Sequence, residues 1–152
     1  MTKLETQLNR LETIEECDMN AGVSLEVIDA FETKYGLVLP NEMKQYLQRF
    51  NGGDIDGLVL AQLYDENTPY ERVNDYIERL EDTEFAEVTT IKDLLVFAIE
   101  SYGDMYFIHV PSGEIYWWGH ENDRLRKKWK SIASFLEKQL DDLEEESPEL
   151  FF

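Results

Sequence analysis

The chain has 152 residues, of which 43% are hydrophobic and 12% aromatic, and it carries a formal net charge of −19 at pH 7. This length and apolar content fit one folded domain and exclude a chain that is disordered throughout. No apolar run approaches the ~20 residues of a membrane-spanning helix, and the N-terminus turns acidic without an apolar signal core. The only cysteine, Cys17, cannot form an internal disulfide. We therefore expect a single cytoplasmic domain over residues 1–152, with no membrane partner.

The charge is distributed unevenly along the chain. Residues 54–123 carry 17 Asp and Glu against 3 Lys and Arg, whereas residues 124–140 carry 6 bases and 1 acid. A C-terminal tail, residues 141–152, carries 6 acids and no base. A field of this sign repels phosphate backbones, so we expect no nucleic-acid partner, and it attracts a basic protein. Acidity that serves only solubility is an alternative that the sequence leaves open.

Helical periodicity dominates the first third of the chain. Apolar residues recur every three or four positions between Leu4 and Ile14, which predicts an amphipathic helix. Ser24 is a predicted N-cap and Gly36 a predicted stop for a second helix. Pro40 is suited to the first turn of a third helix, which Asn51-Gly52-Gly53 is predicted to end. The glycines there supply left-handed residues that turn the chain into a sheet.

Further along the chain, the period changes to that of strands. Residues 57–61, 94–99, 105–110 and 115–118 are predicted strands, and the last three are joined by hairpin turns. A capping box at Thr68 predicts a helix up to Leu80. The segment from Leu125 to Trp129 is either an edge strand or the start of the final helix, which carries Ile132 to Leu143.

The predicted fold class is α+β, with helices packed on one face of a mostly antiparallel sheet of four to five strands. With four-residue loops in both hairpins, alternate residues form one apolar face, and the other face is mixed and more aromatic. Trp117 and Trp118 then point to opposite faces. The residues predicted to be mostly buried are Phe31, Leu39, Leu47, Phe97, Ile99, Ile108 and Phe135.

The sequence offers no arrangement typical of catalysis. There are two histidines, and His120 beside Glu121 and Asp123 has no second histidine at ligand spacing. The segment Asp54-Ile55-Asp56-Gly57 lacks the acidic residue that completes a calcium loop. Nucleophile elbows and glycine-rich phosphate loops do not occur. We expect no catalytic residue, no cofactor and no metal.

One set of motifs resembles a known family, the SUKH superfamily. The resemblance covers about residues 24–140 and leaves out the first helix and the acidic tail. It is carried by Ile28-x-x-Phe31-Glu32, Gly36-x-x-Leu39-Pro40, Tyr46-Leu47, Asn51-Gly52-Gly53, Gly103-Asp104 and Pro111-Ser112-Gly113. The superfamily includes bacterial immunity proteins and fungal regulators of cell-wall glucan synthesis.

The resemblance implies a non-enzymatic immunity protein that binds and neutralises a cognate toxin, often a nuclease in this family. The net charge of this chain favours a basic toxin. A protein-interaction module in a regulatory or cell-wall-related assembly is the alternative. The family has no established catalytic residues to carry over, and its motifs are scaffold devices that predict fold rather than function.

Negative potential beside exposed aromatic side chains is typical of a surface where a basic partner docks. The segment 54–123 combines both features, and the acids of the tail are weaker candidates because terminal charge runs are usually solvated. The predicted partner-binding residues are Asp54, Asp56, Asp104, Tyr116, Trp118, Glu121 and Asp123.

Overall fold

The structure is a computed structural model that describes residues 1–60, 62–63, 93–119 and 124–146. The described helices are α1 (Lys3–Thr13), α2 (Leu25–Tyr35), α3 (Asn41–Arg49) and α4 (Ile132–Glu146). The described strands are β1 (Cys17–Ala21), β2 (Phe50–Ile55), β3 (Leu58–Leu60), β4 (Leu94–Ile99), β5 (Met105–His109), β6 (Ile115–Gly119) and β7 (Arg124–Trp129). The helix predicted between Thr68 and Leu80 lies outside the described residues.

The first two helices are fixed by their caps. The Glu5 backbone N–H donates to Thr2 Oγ1 at 3.1 Å, and the Glu5 carboxylate accepts from the Thr2 backbone N–H at 3.2 Å, which forms a capping box. Ser24 Oγ accepts from the Val27 N–H at 3.4 Å and so caps α2. Gly36 ends α2 in the left-handed conformation, with φ 65°. Both predicted ends of α2 are therefore confirmed.

The strands form one antiparallel sheet in the order β1-β2-β3-β4-β5-β6-β7. This confirms the α+β class, but the sheet has seven strands among the described residues, so the prediction of four to five strands is wrong. The two additional strands are β1 and β2. In β1 the sequence Cys-Asp-Met-Asn-Ala contains no β-branched or aromatic residue, and therefore it gives no strand signal.

Gly52 and Gly53, which were predicted to end the third helix, lie inside strand β2, because α3 already ends at Arg49. Gly52 and Gly53 have φ values of 79° and 152°, as the predicted left-handed turn requires, yet the chain continues through β2. A Cβ at Gly53 would lie 2.7 Å from the Asp18 carbonyl oxygen and 2.7 Å from Met19 Cα. The glycine is therefore needed because β1 passes so close to β2.

The basic stretch near the C-terminus forms the edge strand β7, which decides between the two alternatives left open by the sequence. The final helix then continues to Glu146, well into the segment predicted as an acidic tail. Arg10 of α1 bonds to two acids of this extension, Asp141 at 3.0 Å and Glu144 at 3.1 Å. No helix among the described residues is long and apolar enough to cross a membrane.

Most of the core lies between the described helices and one face of the sheet, and Leu94, Val96 and Phe107 are buried on the opposite face. The ring of Phe97 contacts Tyr46 of α3 and Phe135 of α4 at centroid distances of 5.4 and 5.5 Å. Phe135 also contacts Tyr106 and Trp129, each at 5.0 Å. The predicted core residues that are buried as expected are Phe31, Leu39, Leu47, Phe97, Ile108 and Phe135.

Ile99 is the exception among the predicted core residues, since it is only half-buried. The register between β4 and β5 shifts between Val96 and Ala98, so that Ala98 pairs with Tyr106 and Ile99 with Met105. Phe97 and Ala98 therefore both lie on the face that carries Tyr106, and Ile99 moves to the opposite face. A bulge of this kind leaves no mark in the hydrophobic pattern of the strand.

Candidate functional site

The face of the sheet opposite Phe97 and Tyr106 is called the outer face here. The register pairs connect residues of six strands into one line across it, because residues directly opposite each other lie on the same face. This line, called the transverse row, consists of Asp18, Asp54, Val59, Ile99, Met105 and Trp118.

The transverse row begins with two acids. Asp18 of β1 pairs directly with Asp54 of β2, an arrangement of like charges that destabilises a sheet. The two side chains border a cleft of about 250 Å³ that Asn20 and Val59 also line. Asn20 Nδ2 donates to the Asn51 carbonyl at 3.2 Å and to Gln62 Oε1 at 3.0 Å. This end of the row therefore presents oxygen atoms and negative charge.

The transverse row ends with aromatic side chains. Trp118 is half-buried and pairs with Met105, and Tyr116 lies two residues earlier on the same face. Four strand spacings separate Asp54 from Trp118, which is about 19 Å. The side chains between them, Val59, Ile99 and Met105, are apolar and half-buried. The row thus changes from acidic to apolar to aromatic across the sheet.

A second group of acids lies at one end of the strands. Because neighbouring strands are antiparallel, the start of β1, the turn after β2 and the turn after β4 meet at the same end of the sheet. These segments carry Glu15, Glu16, Asp56, Glu100 and Asp104, without Lys or Arg. The acidic rim, as we call these five residues, borders the transverse row because Ile99 ends β4 and Met105 begins β5.

Burial and the acidic rim together raise the pKa of nearby groups. Burial raises the pKa of the Cys17 thiol to about 11, and Glu16, Asp56 and Asp54 add to that shift. Burial also raises the pKa of the Tyr106 phenol, as does Glu100, whose Oε1 accepts from the Tyr106 hydroxyl at 3.1 Å. Each of these groups is held in its neutral form because another negative charge there is unfavourable. The potential at this end of the sheet is therefore negative.

The structure places five of the seven predicted partner-binding residues. Asp54, Tyr116 and Trp118 lie on the outer face, whereas Asp56 and Asp104 belong to the acidic rim. Asp56 adopts a φ of 47°, and Asp54 Oδ1 accepts from the Gly57 N–H at 2.7 Å, which fixes the turn. The two remaining residues, Glu121 and Asp123, lie outside the described part of the chain.

Sequence reasoning missed the residues that connect the acidic and aromatic ends of the row. Asp18 was missed because β1 gives no strand signal, and Ile99 because the bulge reverses its direction. Val59 and Met105 are apolar residues of strands that were predicted, but the row that joins them depends on register between strands. Only pairing across the sheet brings these side chains into one line.

The described residues show no group of three or more metal-ligating side chains. One polar network lies in the turn after β5, where His109 Nδ1 is 2.7 Å from Ser112 Oγ. The Ser112 hydroxyl donates to Glu114 Oε1 at 3.1 Å, so the histidine faces the oxygen as a donor. This geometry does not prepare the serine for proton removal by the histidine.

The chain matches the model of a known protein family. The model of the SMI1 / KNR4 family (SUKH-1) matches residues 22–138, which span the chain from just after β1 into α4. No curated protein is detectably similar to the chain. The matched segment is well over half of the sequence and agrees with the motifs quoted above. The chain therefore belongs to the SMI1 / KNR4 family (SUKH-1).

Proposed function

We propose that the protein is an immunity protein that binds and neutralises a cognate bacterial toxin. The family supports a protein-interaction module with an immunity or regulatory role, and its members generally act without catalysis. Binding to a basic protein agrees with the net charge of −19. We place the encounter in the cytoplasm, where the single thiol of Cys17 stays reduced.

The observation that carries the proposal is the transverse row with its acidic rim. From β1 to β6 the row spans five strand spacings, about 24 Å. A standard protein interface buries about 800 Å² on each partner, which corresponds to a patch roughly 30 Å across. The row and rim therefore match the size of one interface, and they combine charge with apolar and aromatic side chains.

The two parts of this surface have different physical roles. Carboxylates on the rim and at Asp18 and Asp54 attract a basic partner over long distances and raise the association rate. The side chains of Val59, Ile99, Met105 and Trp118 lose water on contact and slow dissociation. If the toxin is a nuclease, the carboxylates take the place of substrate phosphates in its basic cleft, and inhibition follows from occlusion.

The proposal is tested by expressing the protein together with a candidate toxin encoded beside it in the genome. Growth should be restored by the wild type and lost when Ile99 and Met105 are both replaced by Lys. A control variant with Lys at the exposed Val38 should still protect. Stable binding without protection would contradict the immunity role and indicate the alternative, an interaction module in a regulatory assembly.

A further inference from the structure

The second unusual surface lies at the opposite side of the sheet, on β7. This strand has the sequence Arg-Leu-Arg-Lys-Lys-Trp, and Lys130 follows it directly. Arg126, Lys128 and Lys130 are exposed. In a protein with 33 acids and 14 bases, five bases are concentrated within residues 124–130. The sheet therefore has a basic edge at β7, far from the acidic end of the transverse row.

The bases of this edge differ in their pairing from five other bases that the structure describes. Among the bases that the structure describes elsewhere, Lys3, Arg10, Lys44, Arg49 and Lys138 each have an acid within salt-bridge distance. Arg126, Lys128 and Lys130 have no such acid among the described residues, despite the excess of carboxylates. Lys128 Nζ lies 5.7 Å from the centre of the Trp117 ring, which positions the ammonium group without neutralising it.

The backbone of β7 is also available on one side. The strand pairs with β6, and within the described part of the chain it has no other strand neighbour. Trp129 packs edge-on against Phe135 at 5.0 Å, so the strand is anchored to α4. A groove of about 410 Å³ lies at its end, lined by Lys128, Trp129, Lys130, Glu114 and Ser134. The edge is thus anchored at Trp129 and charged, and its outer side pairs with no strand in the described part of the chain.

From these observations we infer that the β7 edge docks an extended acidic segment of a partner protein, which adds to the sheet as a further strand beside β7. Strand addition uses the backbone groups of the edge for affinity and the alternating side chains for specificity. The exposed bases select acidic side chains on the incoming strand. A second β7 is repelled by the same bases, as is common for charged edge strands. A nucleic acid has no backbone N–H and C=O ladder to pair with the strand, and the charge of −19 opposes it.

The test uses the full chain and a blocked six-residue peptide of alternating glutamate and valine. Backbone amide NMR shifts should change at residues 124–129 as the peptide is added, and much less at residues 17–21. Replacing Arg126 and Lys128 together by Glu should raise the dissociation constant by about tenfold or more. The matched control replaces Lys3 and Lys138 by Glu, which changes the net charge equally at exposed positions elsewhere, and it should bind the peptide like the wild type.

Two further probes separate strand addition from charge attraction. The same peptide with alternate backbone amides methylated keeps its charge but cannot pair, and it should not bind. A hexathymidylate should bind far more weakly than the unmodified peptide. Equal binding of the methylated peptide or of the oligonucleotide would overturn the inference, and so would the absence of any chemical-shift change at residues 124–129.

Self-association of the protein would also overturn the inference if it depends on Arg126 and Lys128 and changes the chemical shifts of residues 17–21. The occupant of the edge would then be β1 of a second copy. If the Glu variant does not fold, replacing the same two residues by Gln provides the comparison.

Discussion

At the scale of single residues, Phe97 lies at the centre of the core. Its ring is fully buried and contacts rings from α3 and α4, so it joins the sheet to two helices. The bulge in β4 directs both Phe97 and Ala98 toward those helices. The size of the ring and its contacts on both sides leave little space into which neighbours could relax after truncation.

Replacing Phe97 by Ala should lower the free energy of unfolding by about 3–5 kcal/mol, because the variant loses buried apolar surface and retains a cavity. Urea denaturation measures this as a shift of the midpoint. Val38→Ala is the control, since Val38 is 72% exposed and truncation of its side chain should cost less than about 0.5 kcal/mol. An unchanged midpoint for a folded Phe97→Ala variant would show that the strand faces the other way.

Cys17 makes the stability depend on pH in the alkaline range. The folded protein raises the pKa of the thiol to about 11, so it holds the proton more tightly than the unfolded chain does. The resulting stability is complete below the ordinary thiol pKa of about 8.5 and is lost as the pH rises through about 11. Between these values the urea midpoint of the wild type should fall more steeply than that of Cys17→Ser. Identical slopes for the two proteins would contradict the raised thiol pKa, which comes first from burial and then from the nearby acids.

At the scale of elements, the helices could be predicted from sequence and the N-terminal strands could not. Ser24 and Gly36 mark the ends of α2 because caps are local interactions between residues a few positions apart. In contrast, β1 is specified by its pairing with β2, and Asp18 and Asn20 carry no intrinsic preference for a strand. The candidate site shows the same difference between local and long-range signals. Asp54, Tyr116 and Trp118 were predicted from sequence, whereas Asp18 and Ile99 reach the outer face only through the register between paired strands.

The close approach of β1 to β2 makes a prediction about two glycines. Gly53→Ala should destabilise the protein by about 1–3 kcal/mol more than Gly57→Ala, because the new Cβ meets β1 backbone atoms at 2.7 Å. Both glycines have positive φ values, 152° and 99°, but a Cβ at Gly57 has nothing within 4 Å. The comparison therefore separates the steric cost of a Cβ at Gly53 from the cost of placing alanine in a backbone conformation with positive φ. Equal losses in thermal or urea denaturation would show that β1 does not lie against Gly53.

At the scale of the whole molecule, the sheet separates charge by position. Acids collect at the β1 and β2 side and in the turns at one end, whereas bases occupy the β7 edge. A basic partner is therefore attracted to one side of the sheet and repelled from the other, which orients it before contact. The net charge alone predicts that a basic partner is attracted, but not how it is oriented. The strand order predicts the orientation, because it places the acids and the bases on opposite sides of the sheet.

The association rate constant with the cognate toxin, measured by stopped flow at low and physiological ionic strength, tests the docking surface most directly. Replacing Asp18 and Asp54 by Asn should slow association several-fold at low salt and reduce its salt dependence, because exposed charges are screened within about 8–10 Å. The control replaces Glu26 by Gln and Asp29 by Asn, two exposed acids of α2, with the same change in net charge. Association of this control should stay close to that of the wild type. Equal slowing of both variants would contradict the outer face as the docking surface, because net charge alone would then account for the effect.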